Sequence, residues 1–101
     1  MTKGDYIGDL IREHYAQTGK HWPTPEEALL WCNTEIGEAA DLLLMKDPGK
    51  WVRNNPHKEQ YTDERFCEEL GDAIMMLIVA GLVTGSDNPL RTMVAKLETT
   101  P

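Results

Sequence analysis

Two short stretches hold the residues best suited to chemistry. Glu35-Ile36-Gly37-Glu38-Ala39 and Glu69-Leu70-Gly71-Asp72-Ala73 share one order: Glu, apolar, Gly, acid, Ala. Each sets two carboxylates three positions apart, which makes them neighbours on one face of a helix. Stepping ~100° per residue from Glu35, Ala39, Cys32, Leu43 and Ile36 fall on one side, and Leu42 and Trp31 on the other. From Glu69, Ala80, Ala73, Phe66, Leu77 and Leu70 fall on one side, and Met76 on the other. Glu35 and Glu69 thus lie inside apolar arcs, with Glu38 and Asp72 at their edges. A carboxylate meant only for water would sit opposite such an arc.

Burying an unpaired carboxylate is costly, and several together repel one another. A divalent cation relieves both, and hard carboxylate oxygens match Mg²⁺ or Mn²⁺. The alternative is that these are edge residues reaching water, with Gly37 and Gly71 serving close helix packing. The recurrence of the pattern favours the metal site.

With Glu35 and Glu38 on one helix and Glu69 and Asp72 on the next, the chain resembles the all-α nucleoside triphosphate pyrophosphohydrolases, the MazG-like superfamily. The resemblance extends over about residues 22–97. It implies Mg²⁺-dependent hydrolysis of a nucleoside triphosphate, with deoxynucleotides among the candidates, to monophosphate and pyrophosphate. Glu35, Glu38, Glu69 and Asp72 would then hold the metal. Glu38, at the edge of its arc, is the choice for activating water. Lys96 matches in approximate position a lysine that the family uses for phosphate; its alternative is a solvated surface lysine. An Asn often follows one turn later, and here that place is Thr100. Trp22 resembles an aromatic that deoxycytidine-triphosphate-cleaving relatives place before the first acidic helix, though its spacing to Glu35 is shorter here.

The elements that must position these groups are four helices. The first spans about Asp5–Gln17, with Tyr6, Ile7, Leu10, Ile11 and Tyr15 at helical spacing and Gly19 as its stop. Thr24, Pro25 and Glu27 start the second with a cap, a first-turn proline and a capping box. It should reach Lys46, where Asp47-Pro48-Gly49 ends it. Thr62 or Asp63 opens the third, which runs to about Thr84 and stops at Gly85. Asn88 caps the fourth, with Pro89 at its first position and Leu90, Met93, Val94 and Leu97 as its stripe. The two acidic helices repeat at an offset of 34 residues, which fits an antiparallel pair whose carboxylates face one another.

Residues 47–61 form the one long connection, and it exceeds the family's usual length. Long connections are functional or disordered more often than not. Lys50 and Arg53 flank Trp51 there, with Lys46 and Lys58 nearby. One reading is a substrate loop, with cations for phosphates and Trp51 for a base. The other is a solvated loop with Trp51 tucked onto the bundle.

The 101-residue chain fits one domain with a modest core, 1–101. A net charge of −7 argues against a nucleic-acid polymer as partner. Cys32 and Cys67 form no CxxC and read as core thiols in a reduced compartment. No apolar run reaches the ~20 residues that span a membrane, and no signal peptide is evident, so the expectation is a cytoplasmic protein. His14 reads as a packed or half-exposed histidine, not a ligand.

From Ala73 to Val83 the third helix is apolar nearly all round and must be covered on every side. Met75, Ile78, Val79 and Leu82 face away from the arc of Glu69. The expected architecture is therefore all-α, a bundle of about four helices per chain completed as a homodimer or homotetramer. Two other functions remain open. Phosphoribosyl-ATP pyrophosphohydrolases use similar carboxylate helices, though the Trp-rich loop argues against them. A non-catalytic helical adaptor could carry the acidic motifs as relics. A di-iron carboxylate bundle needs Glu-x-x-His pairs, and neither motif has His in its fourth place.

Overall fold

A computed structural model of the chain describes residues 3–46, 61–85 and 88–99. These form α1 (Lys3–Thr18), α2 (Pro25–Lys46), α3 (Asp63–Val83) and α4 (Pro89–Thr99), and no strand occurs among the described residues.

The helix ends follow from local chemistry. The Thr24 hydroxyl accepts from the Glu27 N–H, and the Glu27 carboxylate accepts from the Thr24 N–H, closing a capping box. Thr62 caps α3 by accepting from the Arg65 N–H, and Asp63 and Glu64 place negative charge on its first turn, where the helix dipole favours it. Gly19 and Gly85 end α1 and α3 with positive φ values of 65° and 76°.

Asn88 does more than cap. Its Oδ1 accepts from the Leu90 N–H, and its buried Nδ2 donates 2.7 Å to the Gly4 carbonyl. Arg91 adds an ion pair to Asp5. The starts of α1 and α4 are thereby fastened together. Gly8 belongs to this joint, since a Cβ there would lie 2.8 Å from Asn88 Nδ2.

α3 is the hub, with α1, α2 and α4 all packing against it. The start of α2 (Pro25, Leu29) lies beside the end of α3 (Ala80, Thr84). At the other end, the Lys46 ammonium sits 4.9 Å from the centre of the Tyr61 ring. The two acidic helices are therefore antiparallel. The core joins Ile11 and Tyr15 of α1 to Ala28 and Cys32 of α2 and to Ala73, Met76, Ile78, Val79 and Ala80 of α3.

Three expectations change. Ile78 and Val79 are buried within the chain, and Met75 and Leu82 pack against the same core, so this side of α3 is not an exposed patch. Exposed apolar side chains lie elsewhere, on α2, on the flank of α3 marked by Leu70, Ile74 and Leu77, on α1 at Tyr6, Ile7 and Leu10, and on α4 at Met93 and Leu97. Cys67 is exposed and only Cys32 is a core thiol. Among the described residues neither Gly37 nor Gly71 makes a close helix contact, because a Cβ at either would meet none of their atoms within 4 Å.

Candidate metal centre

The antiparallel pairing of α2 and α3 brings the two acidic motifs to the same level. Oxygen atoms of Glu35, Glu69 and Asp72 lie within 4.8 Å of one another. Glu35 and Glu69 are half-buried and Asp72 is exposed. The small buried residues Ala39 and Ala73 follow each motif by one position, so the helices can approach closely enough for the carboxylates to meet.

Glu69 is the centre of the cluster. Its Oε2 is shut off from solvent and has no hydrogen-bond partner among the described residues. Its carboxyl titrates above the usual range. The largest cause is a hydrogen bond with Glu35, which favours the protonated form. Glu38 opposes this through a second hydrogen bond. Burial and the negative charges of Glu35 and Asp72 push in the same direction as Glu35's hydrogen bond.

Three hard-oxygen ligands converge on two helices, one of them with an orphaned oxygen. This donor set fits a Mg²⁺- or Mn²⁺-like cation, which would offset the crowded negative charge and satisfy Oε2. Glu38 stands outside the three-residue group, exposed on the same helix and within reach of Glu69.

The other predicted residues do not join this cluster. Lys96 lines an open cavity of about 620 Å³ between α2, α3 and α4, with Leu29, Gly81, Thr84, Thr92 and Met93. Leu29 precedes Glu35 by six residues, about 9 Å of helix. Trp22 is 41% exposed and stacks on the buried Tyr15, with ring centres 4.1 Å apart and planes 15° from parallel. One of its ring faces is therefore already occupied. Lys50, Trp51 and Arg53 lie outside the described residues.

One residue escaped the sequence reading. Trp31 is 48% exposed and precedes Glu35 by one helical turn and Glu38 by two. Among the described residues no ring stacks on it. The helical wheel already set it beside Glu35, but an aromatic inside an apolar arc reads as core. Comparison with known protein families, with curated proteins and with solved structures found no match for this chain.

Proposed function

We propose that the chain is a Mg²⁺-dependent nucleoside triphosphate pyrophosphohydrolase of the cytoplasm that acts as a homo-oligomer. The observation that carries this is the meeting of Glu35, Glu69 and Asp72 around an unpartnered carboxylate oxygen. The reaction itself comes from the resemblance of the paired acidic motifs to the MazG-like superfamily. The unpaired state of Cys32 and Cys67 agrees with a reducing compartment.

When bound, the divalent cation would neutralise triphosphate oxygens and orient the anhydride for attack. Glu35, Glu69 and Asp72 would hold it. Glu38 reaches the same site from its exposed edge, where it accepts a proton from the attacking water. The water oxygen bonds to phosphorus as the α–β anhydride breaks, leaving monophosphate and pyrophosphate. Trp31 offers an open ring face one turn from Glu35, the better platform for a base, with Trp22 second. Lys96 serves phosphate oxygens only if the triphosphate extends along α2 toward α4.

A panel of nucleoside triphosphates with Mg²⁺, scored separately for pyrophosphate and phosphate, tests the reading. Pyrophosphate release that falls at least ~100-fold in Glu35→Gln is expected. Release of phosphate alone, or no turnover of any nucleotide, would overturn it.

A further inference from the structure

Trp31 stands between two polar side chains of its own helix. Glu27 precedes it by four residues and Thr34 follows it by three, and all three are exposed. At ~100° per residue, Glu27, Trp31, Thr34, Glu35 and Glu38 share one strip of α2, while Glu26 and Asn33 lie on the opposite side. Asp72 takes the same rotational side of α3. Because the two helices are antiparallel, the strip and the carboxylate cluster open in the same direction.

The polar groups beside the ring are acceptors. The Thr34 hydroxyl donates 3.1 Å to the Leu30 carbonyl, which leaves its oxygen lone pairs to accept. Glu27 is held by the capping box, where its Oε1 accepts 3.0 Å from the Thr24 N–H. A carboxylate has about four lone-pair sites, so Glu27 is fixed in place with acceptor capacity left over. α2 has no basic residue before Lys46, at its far end.

The covalent structure of a nucleotide sets how it would lie along this strip. Its triphosphate and the Watson–Crick edge of its base are at opposite ends. With the triphosphate at Glu35, Glu69 and Asp72 and the base over Trp31, that edge points along α2 toward Glu27, about 12 Å of helix from Glu35. There it meets a group that accepts and cannot donate. Guanine presents two adjacent donors, N1–H and the 2-amino group, in the paired geometry that a carboxylate matches. Cytosine and adenine present one amino group beside a ring acceptor. Uracil and thymine set a single N–H between two carbonyls, and both carbonyls repel a carboxylate.

We infer that Glu27 reads the base and makes guanine nucleotides the preferred substrates, with uracil and thymine disfavoured. The inference rests on the proposed reaction and on Trp31 as the platform. Glu27 is a specificity residue and stands outside the carboxylate cluster.

The test is kcat/KM with Mg²⁺ for GTP, ITP and UTP, for their deoxy forms and for dTTP, with inorganic tripolyphosphate as the substrate that has no base. GTP should exceed UTP by roughly 5-fold or more, the low end of discrimination by a bidentate pair, since the site is open to water. ITP, which keeps N1–H and lacks the 2-amino group, should fall between them. Glu27→Gln keeps the capping box, because Gln also accepts from the N-cap N–H, and it adds a donor facing the base. It should cut the ratio of GTP to UTP by about 5-fold or more, with helicity and tripolyphosphate turnover as in wild type. Equal kcat/KM for GTP and UTP, a wild-type preference for uracil or thymine, or a guanine preference that survives Glu27→Gln would each overturn the inference and leave the reaction standing. A fall on tripolyphosphate as large as that on GTP would reduce Glu27 to a helix cap and overturn it as well. No pyrophosphate from any nucleotide would overturn the reaction and the inference together.

Discussion

At the scale of residues, the metal centre and Glu69 make a pH prediction with a defined sign. The folded-state pKa of Glu69 lies above its ordinary value of 4.5. Its contribution to stability is fully present below that ordinary value and is lost as pH rises through the raised one. The metal-free protein should therefore lose melting temperature from about pH 4.5 upward as the cluster is forced to ionise. Millimolar Mg²⁺ or Mn²⁺ should restore it, by binding the folded state alone. Glu69→Gln removes one of the repelling charges. It should raise the metal-free melting temperature at pH 8 and flatten the response to Mg²⁺. Melting curves on both proteins across pH, with and without metal, check the pair of effects. A metal response unaltered in Glu69→Gln would remove Glu69 from the ligand set.

Trp31 belongs to the same scale. If its free face stacks on the base, Trp31→Ala should raise KM by roughly 5- to 150-fold, the equivalent of about 1–3 kcal/mol of stacking. Trp31→Phe should recover most of that. Hydrolysis of inorganic tripolyphosphate, which has no base, should be unaffected. An equal loss on both substrates would mean that the ring shapes the carboxylates and does not touch the base.

At the scale of elements, the joint between α1 and α4 is the clearest weak point. Asn88 is buried, caps α4 and holds the Gly4 carbonyl. Asn88→Ala leaves that carbonyl and the Leu90 N–H without their partner, so it should cost about 1–3 kcal/mol. Gly8→Ala should destabilise as well, because Asn88 is held from two sides and cannot yield to a Cβ at 2.8 Å. Urea unfolding of both variants measures this, and a Gly8→Ala variant more stable than wild type would show that the joint gives way. Neither substitution touches α2, so metal binding in the folded fraction should persist.

At the scale of the whole molecule, Gly37 separates a lone chain from an assembled one. In an isolated helix Gly→Ala stabilises by up to about 1 kcal/mol, and no described residue lies close enough to oppose it. Gly37→Ala should accordingly raise the urea midpoint of the chain. A midpoint that falls instead, and falls further on dilution, would mean that the proposed homo-oligomer packs against Gly37.

The helix ends were legible in the sequence because each is decided by residues within one turn of it. Thr24 with Glu27, Thr62, Asn88 with Pro89, and the terminal glycines fix caps and stops without help from the rest of the chain. The bounds of α2 and α3 follow directly from them. The facing of Glu35 with Glu69 and Asp72 was also legible, since two similar helices in antiparallel order bring equivalent motifs level. What only the tertiary structure decided is which apolar residues are covered. Periodicity marks a face as apolar but says nothing of its neighbour. Thus Val79 is buried in the core, while Leu43 and Ile36, of equal promise on the helical wheel, are exposed. α1 and α4 both chose α3, which closed the side expected to stay open. The same limit hid Trp31. An aromatic in an apolar arc is core or platform according to what packs above it, and that depends on residues far away in the chain.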